Sequence, residues 1–350
     1  MLRDLRYLFA YTLPASAFAA VYAQGAWSYA AVAYAFGVIP LLDQALPRPR
    51  TNDDGEEGGR RLPDAAFDAL LYANVPILYA LVAYALHTAT TASLAPHELV
   101  GIALSVGIIA GSLGINVAHE LGHRPRRFEQ VLAQALLLPS LYLHFFIEHN
   151  RGHHRRVGTP EDPATSRFGE SLYRFWVRSL LGGYRGAWAL EAERLGRAGG
   201  GPRTWANQMI RFTALQVAYL AAVTWAFGAL GLALAVAVAA IGVLLLESVN
   251  YIEHYGLVRA RLPSGRYEPV TPRHSWNSEH ELGRIVLYEL TRHADHHYKS
   301  TRPYHALRYL PESPELPAGY PASILMALVP PVWRGVMDAR VEAWRSAAAA

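Results

Sequence analysis

The chain is 350 residues long, 52% hydrophobic and only 17% charged, with 32 basic residues against 28 acidic ones and a net charge of +4. So low a charge content points to a chain held partly in lipid, and so small a basic excess, with no arginine–aromatic motif, excludes nucleic-acid binding. Cysteine is absent, which excludes disulfides, iron–sulfur clusters, thiolate metal sites and cysteine nucleophiles, so any redox chemistry uses nitrogen and oxygen ligands and electrons from another protein.

No charge falls between Arg6 and Asp43, and that stretch predicts two short membrane spans, at approximately 7–23 and 27–42, with a polar break at Gln24, Gly25 and Ser28. A span needs roughly 20 apolar residues, fewer where the bilayer thins. A mixed, Gly-rich loop, Pro47–Pro63, reads as a flexible connector. Further spans are predicted at approximately 69–88 and 99–118, and a hairpin of two at 212–228 and 231–249, broken near Gly228 and Gly231. Leu132–Phe146 is apolar but short, and fits a re-entrant or interfacial helix. The first span lacks a small-residue cleavage site, so it does not read as a signal peptide. The predicted fold is therefore an all-α integral membrane protein with six transmembrane helices, a single unit over residues 1–350 with no separable soluble domain.

Charge placement orients it. The turns at Gln24–Ser28, Ala89–Pro96 and Gly228–Gly231 hold no Lys or Arg, whereas the opposite side carries Arg3, Arg6 and the segments 48–61, 124–211 and 259–345. By the positive-inside rule, both termini and most of the hydrophilic mass are expected on the cytoplasmic side.

Fifteen histidines are present, and four patches of them fall on that side. NVAHELGHR places His119 and His123 four apart at the end of the fourth span, on one helix face and within reach of a shared metal. EHNRGHHRR carries His149, His153 and His154; NYIEHYGL carries His254 just beyond the sixth span; TRHADHHY carries His293, His296 and His297. A lone HxxxH is often a surface pair, and an isolated His254 would read as a core or cap residue. Four patches at one membrane face read differently. Neutral imidazoles suit Zn, Cu, Fe and Ni, and nine exceed what one ion can hold, so two ions with four or five nitrogens each is the natural arithmetic. Adjacent acids, Glu120, Glu148, Glu253 and Asp295, are candidates to orient imidazoles and offset charge. His274 and His280 flank SWNS, and His274 joins the outer-shell candidates. His87 and His97 sit toward the other face, His144 lies in an apolar run suited to packing, and His305 is not assigned.

HELGH also satisfies HExxH, in which two histidines bind zinc and Glu120 acts as general base. A zinc protease needs only one further ligand, and seven more clustered histidines argue against it. A metal transporter would carry its site near the midplane rather than at span ends.

At HELGH, FFIEHNRGHH, TPEDPATSRFGES, NYIEHYGL, HSWNS, RHADHH, LPAGYP and VMDARV the chain resembles the bacterial membrane alkane monooxygenases. These belong with membrane fatty-acid desaturases and aromatic-methyl hydroxylases in one histidine-motif superfamily. The resemblance runs from about Pro40 to Arg340. It implies a di-iron centre, with two Fe ions held by His119, His123, His149, His153, His154, His254, His293, His296 and His297. It also implies six helices in the bacterial inner membrane, a cytoplasm-facing centre, a hydrophobic channel for the substrate, and electrons from NAD(P)H through a reductase and rubredoxin. The expected reaction is terminal hydroxylation of medium- or long-chain n-alkanes with O2; hydroxylation of aromatic methyl groups and fatty acyl desaturation are the alternatives within the superfamily. With no cysteine, rubredoxin must be a separate protein, and Arg155 and Arg156 are candidates to dock it or to face phospholipid. Small residues in the second span, Ala31, Ala33 and Ala35, make room for a chain or serve helix packing. The chain departs from the resemblance at EHELGRIVLYELT, where a more apolar stretch is expected, and at Ala294, where serine is frequent.

Overall fold

The computed structural model describes residues 2–52 and 62–349; most of the 47–63 connector, residues 53–61, lies outside them. Helices dominate, and among the described residues pairing between extended segments is limited to isolated bridges, Arg261 with Tyr267 and Asn277 with Glu315. A 3-10 segment, Leu2–Tyr11, runs into α1 (Thr12–Ala23), and a tight turn at Gln24 and Gly25, both at positive φ, leads into α2 (Gly25–Ala45). Then follow α3 (Asp64–Thr91) and α4 (Pro96–Gly122). Glu98 joins these pieces: one carboxylate oxygen accepts the Gly25 N–H at 2.5 Å, the other the Ala95 N–H at 2.6 Å, so one acid caps α4 and pins the α1–α2 turn.

The apolar segment 132–146 is not one helix. Helix α5 (Arg127–Leu137) stops before Pro139, Leu141 takes a positive φ of 52°, and helix resumes at Phe145 as α6, residues 145–156, with a π-turn at His149–His153. An amphipathic helix, α7 (Leu172–Arg197), comes next, then α8 (Gln208–His254). The expected hairpin of a fifth and a sixth span falls within the 47 residues of α8, where Gly228 is non-helical at φ 65°. A side chain is disfavoured at that φ, so glycine is the residue that permits the break. Short helices α9 (Glu281–Val286), α10 (His293–Tyr298) and α11 (Tyr320–Ala327) precede the last helix, α12 (Pro330–Ala349).

By length and composition, α2, α3, α4 and α8 are each able to cross a membrane. Their surfaces agree: Leu215, Val217, Leu230 and Val236 on α8 are exposed, which a soluble fold would bury. Exposed Tyr22, Trp27 and Trp225 cluster in sequence beside the Gln24 and Gly228 breaks, the composition of a membrane–water interface. Helices α4 and α8 cross at small residues. A Cβ added at Gly111 would lie 2.7 Å from the Gly242 carbonyl oxygen, so the two backbones touch, as lipid-embedded helices do where packing rather than hydrophobicity holds them.

The charged segment 279–292, expected to be more apolar, is buried and paired. Arg284 donates to Glu289 at 2.7 Å and lies 3.3 Å from Glu279; Arg292 donates to Glu279 at 3.1 Å; Tyr7 donates to Glu289 at 2.9 Å. Burial of these charges is tolerable only because each has a partner. The network ties the N-terminal segment to the residue before His293.

Candidate metal centre

All nine histidines of the four patches come together, in two groups. His119, His123, His149, His154 and His296 form one; His153, His254, His293 and His297 form the other; within each, the nearest ring nitrogens all lie within 4.8 Å of one another. Four elements deliver them. In α4 a π-turn, Ala110–Ile115, precedes HELGH. One extra residue in a turn rotates everything after it by about 100°, which sets the face on which His119 and His123 emerge. The π-turn in α6 has a sharper consequence. Hydrogen bonds from i to i+5 stack His154 over His149, and their Nε2 atoms are 2.9 Å apart. His153 points elsewhere, into the second group. In α10 the i, i+4 pair His293 and His297 joins that group, with Nε2 atoms 2.9 Å apart, while His296 joins the first. His254 ends α8.

The donor set fits metal ions. Nε2 atoms approach in series, His149–His154–His296–His119 at 2.9, 3.1 and 2.7 Å, and His153–His297–His293–His254 at 3.2, 2.9 and 3.2 Å. Each such contact accommodates at most one shared proton, yet several nitrogens sit in two. Nitrogens bound at about 2.0–2.1 Å to one cation are spaced by about 2.9–3.4 Å, and five of the six contacts fall in that range, with His296–His119 slightly closer. The buried Nε2 of His123 has no hydrogen-bond partner, as expected of a ligand atom aimed at a metal.

Electrostatics keeps the lone pairs available. Burial, then the neighbouring imidazoles, hold His149, His154, His293, His296 and His297 well below the ordinary histidine range, and His123 falls to about 3. His153 differs: burial, the largest single influence, lowers it, but the Asp162 carboxylate together with Glu148 and Glu247 leaves it raised. Asp162 accepts from His153 Nδ1 at 2.8 Å, which fixes the proton on Nδ1 and turns the Nε2 lone pair inward. The carboxylate is itself held by the Thr165 hydroxyl at 2.6 Å and the Ala164 N–H at 3.2 Å.

These depressed values give a pH dependence. The unfolded chain binds protons at its histidines below about 6.5, whereas folded His123 stays neutral down to about 3. The metal-free fold is therefore expected to lose stability as pH falls from about 6.5 toward 3, and a metal-loaded chain to release its metal over the upper part of that window. Unfolding midpoints and bound metal, measured across pH 4–8, check this; a flat profile contradicts it.

Of the acids expected beside the ligands, only Glu253 touches a ring. Its Oε2 is 3.2 Å from His293 Nε2, and Tyr320 donates to its Oε1 at 2.8 Å. Glu120 is engaged by Arg124 at 2.9 Å and the Tyr304 N–H at 3.2 Å, Glu148 by Arg156 at 2.7 Å, and Asp295 by Arg302 and the Arg308 N–H. Arginine competes better than a neutral imidazole for a buried carboxylate, so these acids brace helix ends. The His274 side chain bonds Thr271 and Glu268, while its backbone lies within hydrogen-bonding reach of the His254 ring. The HSWNS segment contributes through Asn277 instead, whose Oδ1 accepts the Ala294 N–H at 2.8 Å and seats the start of α10. His87 and His97 lie in α3 and at the far end of α4, His280 bonds Ser278, and His305 stacks on Phe67.

An apolar cavity runs beside the centre. Leu13, Ala35, Phe36, Ile39, Ile108, Gly111, Leu245, Val249, Val286 and Ile324 line it, with Asn116, Leu290 and Tyr320. Asn116 and Leu290 also line a smaller pocket that touches His119 and His296, so the cavity adjoins the first histidine group at these two residues. Of the three alanines expected to leave room, Ala35 lines the cavity, Ala31 is packed in the core and Ala33 is exposed.

A buried, histidine-only, non-haem metal centre beside an apolar cavity in a multi-pass membrane protein defines the class, and the fatty acid desaturase family profile matches residues 95–324. Alkane 1-monooxygenase 1 of Alcanivorax borkumensis is 42% identical over 88% of this chain and 76% of its own length. An alkane 1-monooxygenase of Pseudomonas putida is 42% identical over 88% and 77%. The xylene/toluene monooxygenase hydroxylase component of Pseudomonas putida is 29% identical over 94% and 86%. The chain belongs to the alkane 1-monooxygenase family.

Proposed function

We propose that this protein is a membrane monooxygenase that hydroxylates the terminal carbon of medium- or long-chain n-alkanes. The observation that carries the reading is the apolar cavity that adjoins, at Asn116 and Leu290, a pocket on the first of two groups of imidazoles, together with the alkane 1-monooxygenase relatives. In this reading each group holds one iron: His119, His123, His149, His154 and His296 the first, His153, His254, His293 and His297 the second. Iron so held supplies the activation of O2 and the oxidation of the C–H bond. The protein does the rest. The cavity wall binds the hydrocarbon and keeps water from its reacting end. Asp162 holds the His153 proton on Nδ1, and Tyr320 links the cavity wall to Glu253 beside His293. An apolar cavity discriminates by about 1–3 kcal/mol per methylene, so a range of chain lengths is accepted.

The reading includes six membrane crossings, α1, α2, α3, α4 and the two halves of α8 about Gly228, in the bacterial inner membrane with both termini and the metal centre cytoplasmic. The absence of Lys and Arg from the three turns supports that orientation, and the exposed aromatic residues beside two of them mark a membrane–water interface there. Electrons come from an electron-transfer protein, which we take to be rubredoxin supplied by its reductase. Arg155 is exposed and free to meet an acidic donor by its side chain, whereas Arg156 is committed to Glu148. Glu120 is likewise committed to Arg124, which leaves a HELGH zinc protease without its base.

The xylene/toluene relative favours one second reading, oxidation of aromatic methyl groups. Product analysis with n-alkanes, methylated aromatics and fatty acyl substrates, with rubredoxin and reductase added, separates the two. A 1-alkanol as main product is expected. A benzylic alcohol as the sole product selects the second reading, and a desaturated acyl chain overturns both.

A further inference from the structure

We propose that a polar pocket beside the two histidine groups is the route by which protons reach the centre and product water leaves it, with Glu247 and Tyr142 as its inner relay. This rests on the oxygenase reading above. Hydroxylation turns R–H, O2, two electrons and two protons into R–OH and H2O. One oxygen atom enters the C–H bond; the other takes both electrons and both protons and departs as water. The apolar cavity seats the hydrocarbon, and the one ionisable side chain lining it, Tyr320, is committed to the buried Glu253, so the protons are better served by a second, polar approach.

One pocket meets that need. It touches one histidine of each group, His149 and His153, and shares no lining residue with the apolar cavity. Its inner wall carries Glu247, a carboxyl 1% exposed within the apolar helix α8, and ionisable groups are kept inside lipid-embedded helices for function. Tyr142 donates to Glu247 Oε1 at 2.6 Å, while the buried Oε2 has no partner. His144 lines the same pocket, and its buried Nε2 has no partner either. Two orphaned polar atoms on one polar pocket, with free volume of about 10 Å³, form a site for a single ordered water, and that water with Glu247 and Tyr142 completes a proton relay. The mouth is near. The His144 ring stands edge-on to Tyr184, 5.3 Å between centroids, and Tyr184 is exposed. The pocket thus explains a histidine and an intramembrane acid that metal binding leaves unused.

Hydroxyl-radical footprinting of the iron-loaded, full-length protein reads water contact without turnover. Tyr142 should be labelled faster than Tyr251 by more than the ratio of their exposures, 6% and 1%, because Tyr251 lies away from the pocket. At Gly183 an added Cβ meets only Glu148 Cγ, at 4.0 Å, so Gly183→Val extends into the pocket without striking backbone. That variant should bring Tyr142 labelling down to the ratio of exposures and slow turnover. Glu247→Gln should keep its iron and its footprint, yet form on the order of tenfold or more less alcohol per electron consumed, the missing electrons appearing as reduced oxygen species. A Tyr142 to Tyr251 labelling ratio no greater than that of their exposures overturns the proposal, as does Glu247→Gln with wild-type rate and coupling. If Glu247→Gln fails to load iron, Gly183→Val decides by the same readouts. A wild-type chain that makes no alcohol sinks the oxygenase reading instead, and the footprint still reports whether the pocket is wet.

Discussion

Replacing His254 with Ala is expected to abolish hydroxylation and to lower bound metal from two ions per chain to about one. His254 belongs to the smaller group, where each imidazole is one of four; its Nε2 is 3.2 Å from that of His293, and its ring centroid is 4.9 Å from His153 and 5.1 Å from His297. It ends α8 fully buried, so no mobile neighbour or solvent-exposed side chain replaces it. Losing even an outer partner of a metal ligand costs about 10–100-fold in affinity or activity, and losing one of four ligands should exceed about 100-fold. The first group keeps its five imidazoles, so the loss is confined to one ion. His254→Gln, closer in volume, separates loss of the ligand from the cavity that Ala leaves. His97→Ala, at the opposite end of α4, serves as the unaffected control. Full metal content and rate in the His254→Ala protein would remove this residue from the centre.

Asp162→Asn should give the second largest effect, graded rather than absolute. The amide still accepts from His153 Nδ1 through its oxygen, so the ring orientation survives. What is lost is a negative charge beside a cation site whose imidazole ligands are neutral. A drop of about 10–100-fold in affinity for the second-group metal is expected, with rate recovering at high metal concentration. Asp162→Ala, which also releases the ring, should fall further. Chelator competition measures both, and an unchanged affinity in Asp162→Asn would show that the carboxylate only packs.

Much of this centre can be read from the chain, and the reasons are local. His119 and His123, or His293 and His297, are four apart and must share a helix face. The absence of Lys and Arg from three turns places all four histidine patches on one expected membrane side. The division into five and four is not legible, because His153 and His154 are neighbours in sequence yet join different groups through a π-turn that no composition announces. Asp162 lies nine residues beyond His153 in a proline-framed turn, and its role comes from tertiary folding. Glu120, Glu148 and Asp295 mislead for the converse reason: adjacency along the chain places an acid near a ligand but on another face, where arginine takes it. The segment around Arg284 and Glu289 looks too polar for its place because its partners, Glu279, Arg292 and Tyr7, include one from the far end of the chain.

The two imidazole groups also constrain what the cavity does. In the proposed reading a hydrocarbon in the apolar cavity approaches His119 and His296 past Asn116 and Leu290, so that its end meets the centre first. Orientation by the walls is worth a large rate factor only if the reacting end is held close, and Gly111, which lines that wall, sits at the tight α4–α8 crossing against Gly242.

Metal analysis of the full-length protein, purified from iron-replete cells without chelators, tests the centre most directly. Two irons per chain, both lost together with hydroxylation on chelation and both restored on iron addition, is the predicted result. One zinc per chain, with no bound iron, would contradict it.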